Sequence, residues 1–179
     1  MNVDSLNYSL ALGTVVMQTL TVILLVAYFS RERISFFAGI GASVERWGLW
    51  AGFLVSLAGV VLSLTYSDVL GFEPCYWCYW QRIFLYPQVV LLGMAAWKKD
   101  AYMADYSIVL SVFGAAVALY HHAMQTLGEG SLPCPATGGV SCAKRIIFEF
   151  GYVTFPMMAF AVFAFLIMLM LFVRLRRAA

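Results

Sequence analysis

Residues 8–29 read YSLALGTVVMQTLTVILLVAYF and decide the fold class, because these 22 residues hold no charged side chain. An α-helix rises about 1.5 Å per residue, so this length spans a hydrocarbon core of about 30 Å. No basic segment precedes the run and no small-residue cleavage site follows it. We therefore predict a retained transmembrane helix rather than a signal peptide.

Further apolar runs of similar length follow, and they complete a prediction of five transmembrane helices. These runs cover residues 47–66, 79–97, 106–124 and 152–173. The composition agrees, since 63% of the 179 residues are hydrophobic and only 11% are charged, against about a quarter charged in soluble domains. A formal net charge of +2 is too small for a nucleic-acid-binding surface. The sequence predicts an all-α integral membrane protein.

Lysine and arginine are unequally divided between the predicted connections, which indicates the orientation in the membrane. Eight lie on one side, namely Arg31, Arg33, Arg46, Lys98, Lys99, Arg174, Arg176 and Arg177. Three lie on the other side, namely Arg82, Lys144 and Arg145. We predict a cytoplasmic C-terminus, an outer N-terminus, and outer loops at about 67–78 and 125–150. In a bacterial plasma membrane the outer side is oxidising, and all four cysteines fall there.

A Cys-x-x-Cys motif lies at the start of the third predicted span, in the run EPCYWCYWQR. Pro74 suits a helix start, which would place Cys75 and Cys78 in the first turn, where the helix dipole favours a thiolate. In a regular helix Cys75, Cys78 and Arg82 share one face. The guanidinium would then favour a thiolate at Cys78 and stabilise negative charge on an electron acceptor. Snorkelling to lipid headgroups is the alternative use of Arg82.

Cys134 and Cys142 lie in the longest connection, whose first half is rich in glycine and proline. Such a composition favours an exposed, turn-rich loop. A disulfide there would be the labile kind that an incoming thiolate attacks through a mixed disulfide. One pair in a loop and one at the membrane surface indicate a relay of thiol electrons.

The relay needs an electron acceptor, and the sequence has no haem motif, flavin fingerprint or iron–sulfur spacing. We therefore predict a lipid-soluble quinone, ubiquinone or menaquinone, near Cys78 and Arg82. Pro87 would bend the same helix and make room for a ring, although proline also occurs in transmembrane helices without ligands. His121 and His122, near the outer end of the fourth span, would bind a quinone carbonyl, or else backbone and water.

Small residues recur at helical spacing in two spans. Gly48 and Gly52 form one such pair, and Gly114 and Ala118 form the other. This spacing lets transmembrane helices approach closely, so we assign these residues to packing.

The run PCYWCYWQRI over residues 74–83, with the later outer cysteine pair, resembles the disulfide bond formation protein B family, especially its short-loop Gram-positive type. The resemblance covers about residues 45–175 and implies a four-helix transmembrane bundle. The span 8–29 is then one additional N-terminal helix. The implied activity is that of a membrane thiol:quinone oxidoreductase, which reoxidises an extracytoplasmic thioredoxin-fold dithiol oxidase. The family often has a histidine just before the second outer loop, and His121 or His122 occupies that position.

The resemblance also implies a role for each cysteine. Cys75 and Cys78 match the quinone-proximal pair, with Cys78 facing the ring, and Arg82 matches the arginine beside the quinone. Cys134 and Cys142 match the pair that exchanges with the soluble oxidase, and Cys134 is the expected point of attack. No metal ion is expected.

Two rival interpretations stay open at this point. A vitamin K epoxide reductase-like enzyme also joins quinone chemistry to a helix-end Cys-x-x-Cys, but its loop pair precedes that motif, whereas here it follows. A non-catalytic membrane scaffold with inert disulfides or structural zinc is the other. Zinc ligands usually come in two tight pairs, whereas seven residues separate Cys134 from Cys142.

Overall fold

Five α-helices make up most of the computed structural model, which describes residues 3–31, 34–128, 130, 132–135 and 140–175. The helices are α1 (Val3–Ser30), α2 (Ser35–Leu64), α3 (Tyr76–Lys98), α4 (Met103–Leu127) and α5 (Phe155–Leu175). A π-helical turn, Thr65–Val69, continues α2. Within the described ranges the only β-pairing is an isolated bridge between Glu149 and Val153. The predicted all-helical fold is confirmed.

The helices pack side by side with neighbouring chain segments in contact. Helix α2 packs against α3 and α5, and α4 packs against the same two helices. Helix α1 packs mainly against α5 and also touches α2. As a result, the loop after α2 and the loop after α4 meet at one end of the molecule, where all four cysteines lie.

Four of the described helices are long and apolar enough to cross a membrane. They are Val3–Ser30, Phe36–Val69, Met103–Leu127 and Phe155–Leu175. Helix α3 has the required length but is less apolar, because Gln81, Arg82 and Gln88 lie within it. The third predicted span is therefore a helix, as expected, although its composition alone does not mark it as membrane-crossing.

Helices α1 to α4 are longer than the predicted spans, whereas α5 begins three residues later and ends two residues later than its span. Helix α2 begins at Ser35 rather than at residue 47, and it continues through Glu45 and Arg46. Hydropathy marks only the part of a helix that lies in hydrocarbon, whereas the helix itself can continue through charged residues in the headgroup region. In α2, the guanidinium carbon of Arg46 lies 5.7 Å from the centre of the Trp47 ring. Three of the eight basic residues that predict the orientation in the membrane, Arg33, Arg176 and Arg177, lie outside the described residues.

A buried polar cluster joins α3 to α4 in the middle of the bundle. Gln88 donates from Nε2 to the Phe84 carbonyl and to Ser111 Oγ, both at 3.1 Å. Its Oε1 accepts a hydrogen bond from Ser107 Oγ at 2.6 Å. Gln88, Ser107 and Ser111 are fully buried, so each polar group depends on the others for its hydrogen bonds.

The glycines that the sequence assigned to packing lie against α5. A Cβ atom at Gly48 would come within 2.7 Å of Val173, and one at Gly52 within 3.0 Å of Met170. Gly114 contacts the ring of Phe163 so closely that a Cβ there would collide with three ring carbon atoms. Close helix packing at these positions is confirmed.

Gly114→Ala is expected to lower the free energy of unfolding by about 1–3 kcal/mol, the usual cost of overpacking a core. Phe163 is fully buried, so its ring has no free space into which it can move. Thermal denaturation in detergent measures the change in Tm. Gly39→Ala is the matched control, because a Cβ at Gly39 meets no atom within 4 Å. Equal Tm values for the two variants would contradict the packing assignment.

Candidate functional site

The Cys-x-x-Cys motif lies across the N-terminus of α3. Cys75 is the N-cap residue in an extended conformation (φ −73°, ψ 172°), and the helix begins at Tyr76. The expectation that Pro74 opens the helix and that Cys75 lies in its first turn is therefore wrong. The Cys75 carbonyl accepts the first helical hydrogen bonds, from the N–H groups of Cys78 at 3.0 Å and Tyr79 at 3.3 Å.

Cys75 and Cys78 are free thiols in contact with each other, and we call them the helix pair. Their Sγ atoms lie 3.1 Å apart. Cys75 is buried and Cys78 is partly exposed. This separation allows the two sulfur atoms to form a disulfide with a small movement and to share one proton while reduced.

His121 of α4 connects the helix pair to the second outer loop. Its Nε2 lies 3.4 Å from Cys75 Sγ and 3.1 Å from the carbonyl oxygen of Cys142. Gln81 Nε2 lies 3.0 Å from His121 Nδ1. Since the Gln81 amide nitrogen can only donate, Nδ1 accepts, and the ring proton lies on Nε2. That proton points towards both the Cys75 sulfur and the Cys142 carbonyl.

These contacts favour a thiolate at Cys75, which lies in the loop before α3. The hydrogen bond from the Cys78 thiol has the largest influence and lowers the pKa of Cys75 well below the ordinary value of a thiol. Burial opposes this change, whereas the hydrogen bond from His121 adds to it. A thiolate is the reactive form of a cysteine, so the helix pair is prepared for exchange in its reduced state.

Cys134 and Cys142 form a disulfide with Cα atoms 6.3 Å apart, and we call them the loop pair. Cys142 is only 2% exposed, whereas Cys134 is partly exposed between the exposed residues Pro133 and Pro135. Cys142 packs in one hydrophobic cluster with Cys75, and the other two cysteines lie against it. The two pairs, separate in the sequence, therefore share one site.

Arg82 is held against α2. Its Nε donates to Ser63 Oγ and its Nη2 to the Ser63 carbonyl, both at 3.0 Å. Its guanidinium carbon also lies 5.7 Å from the centre of the Tyr79 ring. Two hydrogen bonds to Ser63 fix the position of the Arg82 side chain. An arginine that only snorkels to lipid headgroups would need no such protein partner. Ser63 carries no signal in the sequence that would have marked it as a partner of the arginine.

A cavity of about 320 Å³ adjoins the helix pair. Its walls come from all five helices and both outer loops, and most of them are apolar. The polar and reactive side chains that α3 and its N-cap contribute are Cys75, Cys78, Gln81 and Arg82. The expected proximity of Cys75, Cys78 and Arg82 is thus observed, with all three bordering one space.

Neither histidine lines this cavity. His121 contacts the cysteines, as described above, and His122 Nδ1 lies 2.9 Å from Thr154 Oγ1, which connects α4 to the segment before α5. The predicted contact of either histidine with a quinone stays a prediction. The link between His121 and both cysteine pairs was not foreseen, because it depends on helix packing and not on spacing.

Cys75, Cys78 and His121 also form the kind of group that could hold a metal ion. Their ligand atoms lie within 4.8 Å of one another. Structural zinc sites usually have four protein ligands, and the described residues supply three here. Since the loop pair is joined as a disulfide, the alternative of a zinc site of four cysteines has no counterpart in this arrangement.

Sequence comparison relates this chain to known proteins. The family model for disulfide bond formation protein DsbB matches residues 45–173. A probable disulfide formation protein C from Bacillus cereus is 42% identical over 118 residues, which is 66% of this chain and 81% of that protein. Disulfide bond formation protein C from Bacillus subtilis is 33% identical over 122 residues, 68% of this chain and 88% of that protein.

A probable disulfide formation protein from Chlamydia trachomatis is 37% identical over 115 residues, 64% of this chain and 83% of that protein. No solved structure matches the chain. The matched region contains the helix pair, the loop pair, Arg82 and His121, and it begins after α1. The chain is thus a multi-pass membrane oxidoreductase of disulfide formation, and it belongs to the disulfide bond formation protein DsbB family.

Proposed function

We propose that this protein is a thiol:quinone oxidoreductase that reoxidises an extracytoplasmic thioredoxin-fold dithiol oxidase. The observation that carries the proposal is the position of the helix pair. It shares a hydrophobic cluster with the loop disulfide and also borders a largely apolar cavity beside Arg82. Electrons from a soluble dithiol can therefore reach a membrane-soluble acceptor through two adjacent cysteine pairs.

The first step is thiol–disulfide exchange at the loop pair. A thiolate of the reduced partner attacks Cys134 Sγ, because Cys134 is the more exposed of the two, and Cys142 leaves as a thiolate. The second thiol of the partner then attacks the mixed disulfide. The partner leaves oxidised, and Cys134 and Cys142 are left as thiols that hold two electrons.

The second step transfers these two electrons to the helix pair. A thiolate of the loop pair attacks the Cys75–Cys78 disulfide, and a second exchange restores the Cys134–Cys142 bond. The cysteines then have the redox state seen in the structure, with the loop pair oxidised and the helix pair reduced. His121 is placed to exchange a proton with Cys75 during this step.

The final step oxidises the helix pair again. When the Cys75–Cys78 bond forms, two thiols release two electrons and two protons, and a quinone accepts both to give a quinol. Both cysteines border the cavity, and Cys78 is the residue less buried overall. Arg82 borders the same space, where its charge favours a negatively charged oxygen atom of the acceptor.

The cavity fits a quinone in size and chemistry. Its volume of about 320 Å³ lies within the range of small-molecule sites, roughly 300–1,000 Å³. Apolar walls suit a ring with hydrocarbon substituents, and the guanidinium of Arg82 suits its oxygen atoms. The residues that would hold the ring are Arg82 and Cys78. We include ubiquinone and menaquinone equally in this proposal.

We propose a bacterial plasma membrane as the location, with the cysteine end of the bundle outside. The charge distribution supports this, because Arg31, Lys98 and Lys99 lie at helix ends on the opposite side of the bundle. We further propose that α2 to α5 form the four-helix bundle of the family and that α1 is an additional helix. The start of the family match at residue 45 supports that division.

The variant Cys142→Ala is expected to accumulate a mixed disulfide with an oxidised thioredoxin-fold oxidase. Its free Cys134 attacks the disulfide of the partner and releases the partner's second cysteine as a thiolate. That thiolate can only reverse the step, because no second cysteine is left in the loop to complete the exchange. Cys75→Ser and Cys78→Ser in the same chain remove the other thiols. Non-reducing electrophoresis measures the adduct as a band that a reductant abolishes.

The matched control is Cys134→Ala in the same background, where only the buried Cys142 remains. It is expected to form little adduct. An equal yield from both variants would reverse the assignment of Cys134 as the point of attack. No adduct from either variant would exclude a thioredoxin-fold partner.

A further inference from the structure

Helix α1 forms part of the cavity wall although it lies outside the region that matches the family. Leu10, Gly13, Thr14 and Met17 border the cavity. Their spacing of i, i+3, i+4 and i+7 places them on one face of the helix. The same cavity is bordered by Cys78 and Arg82 of α3, so α1 and the redox pair face a common space.

Contacts along its length hold α1 in place. Near its beginning, the Tyr66 hydroxyl donates a buried hydrogen bond to Asn7 Oδ1. In its middle, Gln18 Oε1 accepts a hydrogen bond of 2.8 Å from the Tyr152 hydroxyl. Near its end, the rings of Tyr28 and Phe172 meet edge to face at 5.4 Å. The α1 wall is thus fixed to α2, to the second outer loop and to α5.

The α1 wall offers carbon surface and no free hydrogen-bond donor. Thr14 donates its hydroxyl proton to the Leu10 carbonyl at 2.8 Å, within the helix itself. Ser9, which also borders the cavity, donates in the same way to the Ser5 carbonyl at 2.8 Å. The α3 wall, by contrast, carries a guanidinium and a thiol. The two walls therefore suit different parts of one ligand.

Gly13 leaves open space in the α1 wall. A Cβ atom built at Gly13 would meet no heavy atom within 4 Å. At Gly59, which borders the cavity from α2, a Cβ would already lie 3.1 Å from a Leu85 methyl group. A side chain at Gly13 therefore has open space before it, whereas one at Gly59 would already touch Leu85.

We propose that α1 is a wall of the acceptor site and binds the hydrocarbon side chain of the quinone, with Gly13 providing the room. This inference rests on the proposed function and adds to it a helix that the family match does not include. The quinone ring lies towards Cys78 and Arg82, and its apolar chain passes over Leu10, Gly13 and Met17. The surface that binds the hydrocarbon side chain of the quinone therefore comes from the N-terminal helix of this protein.

The test is Gly13→Phe. The new side chain fills the open space, and its Cβ atom would contact no neighbouring residue. Two probes are used with dithiothreitol as the electron donor. One is a benzoquinone with a decyl side chain, and the other has the same ring without the chain. We expect KM for the decyl quinone to rise about tenfold, equivalent to losing the burial of about two methylene groups. KM for the chainless quinone should change less than about twofold.

Gly39→Phe is the matched control, because a Cβ at Gly39 also meets no atom within 4 Å and Gly39 does not border the cavity. It should leave both KM values unchanged. Met17→Ala, which removes apolar contact without adding bulk, should raise KM for the decyl quinone alone. Formation of the Cys134–Cys142 disulfide in each variant confirms that the outer end is folded.

The outcomes separate this inference from the proposed function. Reduction of both quinones by the natural chain, with unchanged KM values in Gly13→Phe and Met17→Ala, would overturn the role of α1 alone. An equal rise of KM for both quinones would overturn the assignment of α1 to the hydrocarbon chain. Failure of the natural chain to reduce either quinone would overturn the proposed function and the inference together.

Discussion

Cys78→Ser is expected to reduce the rate of quinone reduction to the uncatalysed background. The helix pair can give up two electrons only by forming a disulfide, and a serine hydroxyl cannot take part in that bond. The 3.1 Å contact between the two sulfur atoms indicates that the pair acts as a unit. The decrease in quinone absorbance, with dithiothreitol as donor, measures the rate.

Cys134→Ser provides the contrast for this experiment. It should abolish quinone reduction driven by a thioredoxin-fold dithiol, since the entry point of that partner is lost. It should retain reduction driven by dithiothreitol, which is small enough to reach the helix pair directly. Quinone reduction that persists in Cys78→Ser would contradict the relay.

His121→Ala is expected to raise the pKa of Cys75 and to slow reactions of its thiolate below about pH 8.5, the ordinary pKa of a thiol. The hydrogen bond from His121 is one of the contacts that lower this pKa. In the wild-type protein Cys75 stays a thiolate as the pH falls below the ordinary pKa of a thiol, and it is protonated only when the pH falls below its own lowered pKa. Each unit by which the variant raises the pKa removes about nine-tenths of the thiolate at pH values below both pKa values.

Alkylation of Cys75 by iodoacetamide, located by peptide mass spectrometry, measures this effect as a function of pH. The pH profile of His121→Ala should move towards higher pH, and the rates of the two proteins should converge above pH 9. His122→Ala is the matched control, because its imidazole contacts Thr154 instead. A profile of His121→Ala identical to that of the natural chain would exclude an influence of the imidazole on Cys75.

The helical fold could be predicted from local features of the sequence, and the same kind of feature marks the residues that we propose to react. An uncharged run of 22 residues has few alternatives to a membrane helix, and a Cys-x-x-Cys beside an arginine is informative wherever it occurs. The packing role of Gly114 was predictable for the same reason, since small residues at helical spacing permit close approach. Each of these features depends on residues close together in the chain.

Features that depend on tertiary packing could not be predicted in this way. His121 was expected beside the quinone, but its contact with Cys75 spans 46 residues and depends on how α4 packs against α3. The role of Ser63 as partner of Arg82 likewise depends on the rotation of α2. The beginning of α2 was also missed, because residues 35–46 include charged side chains and so fall outside the apolar run that predicted the span.

The buried cluster of Gln88, Ser107 and Ser111 has a consequence for the biogenesis of the protein. Helix α3 entering lipid alone would expose the Gln88 amide to hydrocarbon, where its hydrogen bonds could not be replaced by water. The amide nitrogen can still donate to the Phe84 carbonyl within α3, but only Ser107 and Ser111 on α4 donate hydrogen bonds to the amide oxygen. Helices α3 and α4 are therefore best suited to leave the translocon as a hairpin, with the tight turn between Lys98 and Met103 formed before either helix is released into the bilayer.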